Sequence, residues 1–217
     1  MNDPVFEGVF GPFSIDAQDR REVLGYRLAL LLAAVGQLGL LVQLRLLSPA
    51  LVWPWLLLLA VGIGLALCWI HIYLRPLHLA LQLFWLLGSV GCLVMALQVG
   101  AGQMATALSE QRLWLLAIGP LFAALAGIGF KEFFCFRRPE AIGVTLLLPI
   151  ALLGYLLGAI DGRICLTLLA IESALLLLLC LRKFPMPAAA DVGDKSVFAY
   201  LEEQRRNGSA AMGGPAA

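Results

Sequence analysis

The chain has 217 residues, of which 61% are hydrophobic and 13% charged, with a formal net charge of +1. Soluble domains carry about a quarter charged residues, so this much apolar surface has lipid as its natural solvent. A balance so near neutral also excludes the basic excess of a nucleic-acid binder.

The N-terminal arm, residues 1–23, places Phe6, Phe10 and Phe13 among glycines and a proline, a composition suited to an interfacial anchor or docking element. A polar run follows, with Ser14 as the expected N-cap of a helix leading into the membrane. Asp3, Glu7, Asp16, Asp19 and Glu22 occupy the place of a cleavable leader's basic region, so the first apolar run is expected to stay as a span.

Stretches of about twenty apolar residues predict six transmembrane helices over residues 24–181: Leu24–Gln43, Pro54–Leu74, Pro76–Val99, Leu113–Phe130, Ala141–Ile160 and Ile164–Leu181. Pro54 and Pro76 fall in first turns, where a missing N–H costs nothing. The expected fold is an all-α, six-helix membrane bundle. Twelve of the fifteen Lys and Arg residues fall on the side of the two termini, leaving Arg45, Arg112 and Arg163 opposite. The positive-inside rule then predicts that both termini are cytoplasmic.

Small residues permit close helix contact in lipid. Gly119, Ala123 and Gly127 form such a stripe on the fourth span, Ala60, Gly64 and Cys68 on the second, and Gly154 and Gly158 on the fifth. Pro120 and Pro149 should kink the fourth and fifth spans and free the carbonyls of Leu116 and Thr145, with the Thr145 hydroxyl at hand to compensate.

Between those two spans lies FKEFFCFRRPE, residues 130–140, which is expected to be a short cytoplasmic connection. Lys131, Arg137 and Arg138 would anchor it, Phe133, Phe134 and Phe136 would sit at the lipid–water boundary, and Glu132 and Glu140 would complete a dockable patch. Arg27, at the start of the first span, is expected to snorkel to this surface and to pair with Glu132 or Glu140.

Glu172 lies mid-span, where a carboxylate costs about 2.5–3.5 kcal/mol on insertion scales. It should face the bundle interior, with Gln37, Tyr155, Thr145 and Ser173 at suitable depth to bond it. Its role is open between a structural hydrogen-bonded group and a proton relay, ion site or pigment contact. His71 and His78 flank a Pro-broken turn. Neutral imidazoles ligate haem iron, chlorophyll magnesium or zinc, so these two are the cofactor candidates, against a reading as interfacial anchors or donors to freed carbonyls. The five cysteines are scattered singly without zinc-ligand spacing and read as small buried hydrophobes, so no metal site is expected. No nucleophile triad, HExxH, P-loop or GxGxxG pattern points to an enzyme.

The tail, residues 182–217, contains a run from Ser196 to Arg206 with Val197, Phe198 and Leu201 on one side of an expected helix. Asn207-Gly208 would end it, and the Ala/Gly-rich remainder is expected to be disordered.

Three stretches, FEGVFGPFSIDAQDRREVLGYRLALLLAA, GFKEFFCFRRPEA and LLLPIALLGYLLG, together resemble a cyanobacterial integral membrane protein family of unknown function. The resemblance implies a multi-spanning protein of a thylakoid or plasma membrane and brings no catalytic residues. With it, the sequence reads as a non-enzymatic protein in the bilayer that assists assembly or stability of a photosynthetic or other membrane complex. The alternative is a small transporter or channel that uses Glu172.

Overall fold

A computed structural model describes residues 5–72, 74–197, 200–204 and 206. Six helices are long and apolar enough to cross a membrane: α1 (Ala17–Leu46), α2 (Trp53–Trp69), α3 (Arg75–Val99), α5 (Trp114–Phe136), α6 (Pro139–Leu156) and α7 (Gly162–Lys183). Two short helices accompany them, α4 (Met104–Glu110) after α3 and α8 (Ala189–Val192) after α7. The six spans form a closed ring in the order α1, α2, α3, α5, α6, α7, with α7 packed back on α1. An even number of crossings puts both chain ends on one face, called here the terminal face, and α4 on the far face.

The arm has a fold of its own. Val5–Gly8 (β1) pairs antiparallel with Gly11–Ser14 (β2), a hairpin in an otherwise helical chain. Ser14 is the last residue of β2, and the cap of α1 is Asp16. The Asp16 carboxylate accepts from the Asp19 amide while the Asp19 carboxylate accepts from the Asp16 amide, a reciprocal box that starts α1 seven residues before the expected span. The hairpin turn is tied to the tail: the Val9 amide donates to Asp194 at 2.7 Å, the Phe10 amide to the Ser196 hydroxyl at 3.0 Å, and Phe10 stacks on Tyr200. Phe198, Asn207-Gly208 and the Ala/Gly-rich end lie outside the described residues.

Packing in the ring uses different small residues from those expected. Gly119 faces open space and Ala123 is exposed, so of the stripe on α5 only Gly127, against the Leu81 side chain of α3, makes a helix contact. The contact comes from α3, where a Cβ on Gly88 would strike the Leu121 backbone and one on Gly91 the Ala117 carbonyl. Gly36 of α1 and Gly62 of α2 similarly abut the backbones of Leu59 and Ala33. The α2 stripe does serve packing: Gly64 lies under the Trp85 indole, whose N–H donates to the Ala60 carbonyl at 2.7 Å. Cys68 and Cys135 are exposed and only Cys165 and Cys180 fully buried, so the cysteines do not behave as one class. The Thr145 hydroxyl donates to Ala141 at 2.8 Å, one turn back from its own carbonyl.

These contacts separate two glycines that look alike in sequence. Gly91→Val should overpack the α3–α5 contact and cost about 1–3 kcal/mol. Gly119→Ala should be neutral or stabilising by up to about 1 kcal/mol, because it fills open space and improves helix propensity. Thermal unfolding of both variants in nanodiscs measures the difference; equal losses would contradict the assigned packing face.

Candidate functional site

Two polar layers are buried in the ring. Tyr26 and Gln37 stand eleven residues apart on α1, as do Glu172 and Lys183 on α7. The helices run antiparallel, so Tyr26 meets the level of Lys183 and Gln37 that of Glu172. At 1.5 Å per residue the layers are about 16 Å apart. Leu30, Ala33 and Ala34 of α1 and Leu176, Leu179 and Cys180 of α7 fill the gap, all buried.

The layer at the terminal face is a charged clasp. Glu132 of α5 accepts from the Tyr26 hydroxyl at 2.6 Å on one oxygen and from the Lys183 ammonium at 2.6 Å on the other. Lys131 adds a 3.2 Å contact to Glu132 and lies 4.2 Å from the Phe136 ring centre. Lys183 also bonds Asp191 of α8, whose second oxygen accepts from Arg27 at 2.6 Å. Arg27 further donates to the carbonyls of Met186 and Pro187. A buried ion pair holds only when its remaining donors and acceptors are met, and this one closes four elements together.

The clasp corrects the expected cytoplasmic loop. Helix α5 continues to Phe136, so Lys131 and Glu132 are interior groups, 1% and 0% exposed, rather than topology anchors or parts of a docking patch. Arg27 does not snorkel, and it pairs with Asp191 of the tail in place of Glu132 or Glu140. Glu140 is also buried and takes Arg182 at 3.1 Å. Phe136 packs on the clasp, while Phe133, Phe134 and Arg137 do reach the surface. Only Arg137 and Arg138 form the actual turn. Arg137 holds the left-handed conformation (φ 52°) that ends α5, and the Arg138 guanidinium lies against the Met186 sulfur.

The second layer lies at mid-span. The Gln37 amide donates to one oxygen of Glu172 and, at 3.0 Å, to the Ser173 hydroxyl. The other oxygen of Glu172 and the Gln37 carbonyl oxygen are buried with no partner among the described residues. Tyr155 and Thr145 do not reach this layer. Tyr155 lies near the far end of α6, with the Arg112 guanidinium 4.7 Å above its ring.

Toward the far face the ring encloses a cavity of about 250 Å³. All six spans and α4 line it, from Ser109, Tyr155 and Gly162 at the outer end to Leu40, Phe122 and Leu169 within. Leu40 and Leu169 stand one turn from Gln37 and Glu172, so two leucines separate the cavity from the carboxylate layer.

The two histidines are not brought together. His78 bonds the Leu67 carbonyl at 2.9 Å, satisfying a group freed at the end of α2. His71 lies 3.4 Å from Glu22, and burial holds its imidazole below the ordinary pKa against the upward pull of that carboxylate. Asp19, Glu22 and His71 could together offer three ligand atoms to a metal ion. One of the three, Asp19, already pairs with the Lys195 ammonium at 2.7 Å.

The architecture is that of a six-span α-helical integral membrane protein with a polar layer inside the bundle. Residues 65–200 match the family described as uncharacterized integral membrane protein (DUF2301), and the chain belongs to that family. The matched residues carry Lys131, Glu132, Glu172, Lys183 and Asp191, while Tyr26, Arg27 and Gln37 lie before them. An uncharacterized protein of Haemophilus influenzae is 35% identical over 88 residues, 38% of this chain and 48% of the relative, so the match spans about half the relative's length. A relative of the chain therefore occurs outside the cyanobacteria. No solved structure matches the chain.

The clasp is directly testable. Glu132→Ala leaves Lys131 without a carboxylate and Lys183 with only Asp191, which it shares with Arg27, and should cost about 3–5 kcal/mol. Asp191→Asn should release residues 184–195 from α1 and α7 while leaving the six spans in place. Limited proteolysis in nanodiscs should then cut the Asp191→Asn variant within that segment, and equal resistance to wild type would show that the clasp does not hold the tail.

Proposed function

We propose that this protein is a small, non-enzymatic carrier in which Glu172 exchanges a proton as solute enters from the far face. The observation that carries the reading is the one-sided cavity, lined by every span and ending one turn short of a buried carboxylate with an unpartnered oxygen. Intramembrane carboxylates line ion and proton pathways when they face a bundle interior. Leu40 and Leu169 supply the inner barrier, and the clasp closes the terminal face. Carriage requires only that these two closures yield alternately.

The test uses proteoliposomes loaded with a pH-sensitive dye under an imposed proton gradient. A panel of a lipophilic amine, a medium-chain fatty acid and a neutral aromatic is added in turn. At least one member should dissipate the gradient, and Glu172→Gln should reduce that rate at least tenfold. A rate unchanged by the substitution would remove Glu172 from the mechanism.

The positive-inside bias supports cytoplasmic termini, with the cavity opening to the opposite side. A fluorescent protein fused after Ala217 should then mature in cells, whereas a periplasmic phosphatase fused there should stay inactive; the reverse result inverts the orientation. The Haemophilus relative favours a plasma membrane as the setting the family shares, and the cyanobacterial resemblance adds the thylakoid.

A second reading is assistance in the assembly or stability of a larger membrane complex. It is favoured by α3, the least buried span, and by the exposed pair Phe130 and Phe134, stacked at 5.6 Å beside the α5–α6 turn. Both would suit a protein partner as well as lipid.

A further inference from the structure

The shape and chemistry of the cavity constrain what the carrier would accept. Its walls are Leu, Val, Ile, Met, Ala, Phe and Cys, with Ser109 and Tyr155 near the outer end, and none of the lining side chains is charged. Arg112 and Arg163 at the far face are matched by Glu110 and Asp161, which leaves Arg45 as a single unmatched positive charge on that face. The ionisable group at the inner end is Glu172, 0% exposed. One of its oxygens takes the Gln37 amide, and the other takes nothing among the described residues; the Gln37 carbonyl oxygen beside it is likewise unpartnered. Two buried acceptors without a donor are a standing demand for one, since each left unmet costs about 1–3 kcal/mol.

Three kinds of donor compete for that place. A proton on Glu172 meets the demand within the empty carrier and is the resting condition of the proposed exchange. A hard inorganic ion such as calcium needs six to eight oxygens, and the layer offers only Glu172, Gln37 and Ser173 within an apolar shell. A weakly hydrated organic cation needs little more than one negative charge and apolar or aromatic walls. Phe122 and Tyr155 line the cavity and provide the aromatic part. An anionic amphiphile would bring its charge toward a carboxylate with no cation among the lining residues.

Resting on the carrier reading above, we infer that the cavity and the Glu172–Gln37 layer form a binding site for a small lipophilic monovalent cation, with the apolar body in the cavity and the positive centre toward Glu172. Leu40 and Leu169 must rotate or shift to let the positive centre approach, and they confine the site to slender ligands.

The experiment compares radiolabelled benzyltrimethylammonium with neopentylbenzene, its neutral isostere, by equilibrium binding to protein in nanodiscs, with empty nanodiscs subtracted. The cation should bind at least tenfold more tightly than the isostere, and the preference should vanish in Glu172→Gln and persist in Glu172→Asp. Glu172→Gln keeps the shape of the protonated side chain but cannot ionise, and thermal unfolding checks that the variant remains folded. Equal binding of both probes, a preference that survives Glu172→Gln, or no binding of either would overturn the inference. Flux of another panel member without any cation preference would defeat this site and leave the carrier reading standing. Glu172-dependent cation binding without flux of any solute would do the reverse.

Discussion

Hydrocarbon offers no hydrogen-bond partner, and that constraint organises the molecule. Each polar side chain in the interior must find another, and the two places where this happens are the two levels at which the ring is fastened. At the terminal face Tyr26, Lys131, Glu132, Lys183, Asp191 and Arg27 satisfy one another across α1, α5, α7 and α8. At mid-span Gln37, Glu172 and Ser173 do so incompletely. Elsewhere the spans meet through glycine and alanine against backbone, as Gly91 does at Ala117. The clasp therefore reads as a fastening and the mid-span layer as a site, because only the latter leaves acceptors open.

The number and approximate limits of the spans were legible in the sequence, because twenty apolar residues have no other stable arrangement in lipid. The pairing of Gln37 and Ser173 with Glu172 was legible from depth along the helices alone. The charged segment Lys131–Glu132 was not. A run of polar and aromatic residues after a span looks the same whether it leaves the membrane or closes on a partner, and its partners Lys183 and Asp191 come some fifty residues later. Two adjacent charges ending one span, facing another cation that ends the last, is a signal that could have suggested a shared interior layer. The hairpin was hidden for a different reason: it is stabilised by Asp194 and Ser196 of the tail rather than by its own composition. Gly88 and Gly91 escaped notice because they are three apart, while the four-residue stripe on α5 drew attention to a face that touches α3 at Gly127 but meets open space at Gly119.

The two layers also divide the labour expected of a carrier. A closed ring has an inside, and this one is filled by buried apolar side chains between its layers, with a cavity toward the far face. The clasp is much the more extensive of the two closures, since it joins four elements by ion pairs, whereas the inner barrier rests on two leucine side chains. On the carrier reading proposed above, opening toward the far face is the low-energy condition, and opening toward the terminal face is the step that would need a ligand or proton to drive it.

The clasp and the mid-span layer have a consequence for how the chain is made. Tyr26 is bonded to a residue 106 positions later, Gln37 to one 135 later and Arg27 to one 164 later. When α1 enters the membrane, none of these partners has been synthesised. Its guanidinium, phenol and amide must be sheltered by water, headgroups or insertion machinery until α5, then α7, and finally α8 arrive. Biogenesis therefore closes on its own start, with α8 locking α1. A released chain ending before residue 191 would hold all six spans but leave Arg27 and Lys183 without their shared carboxylate.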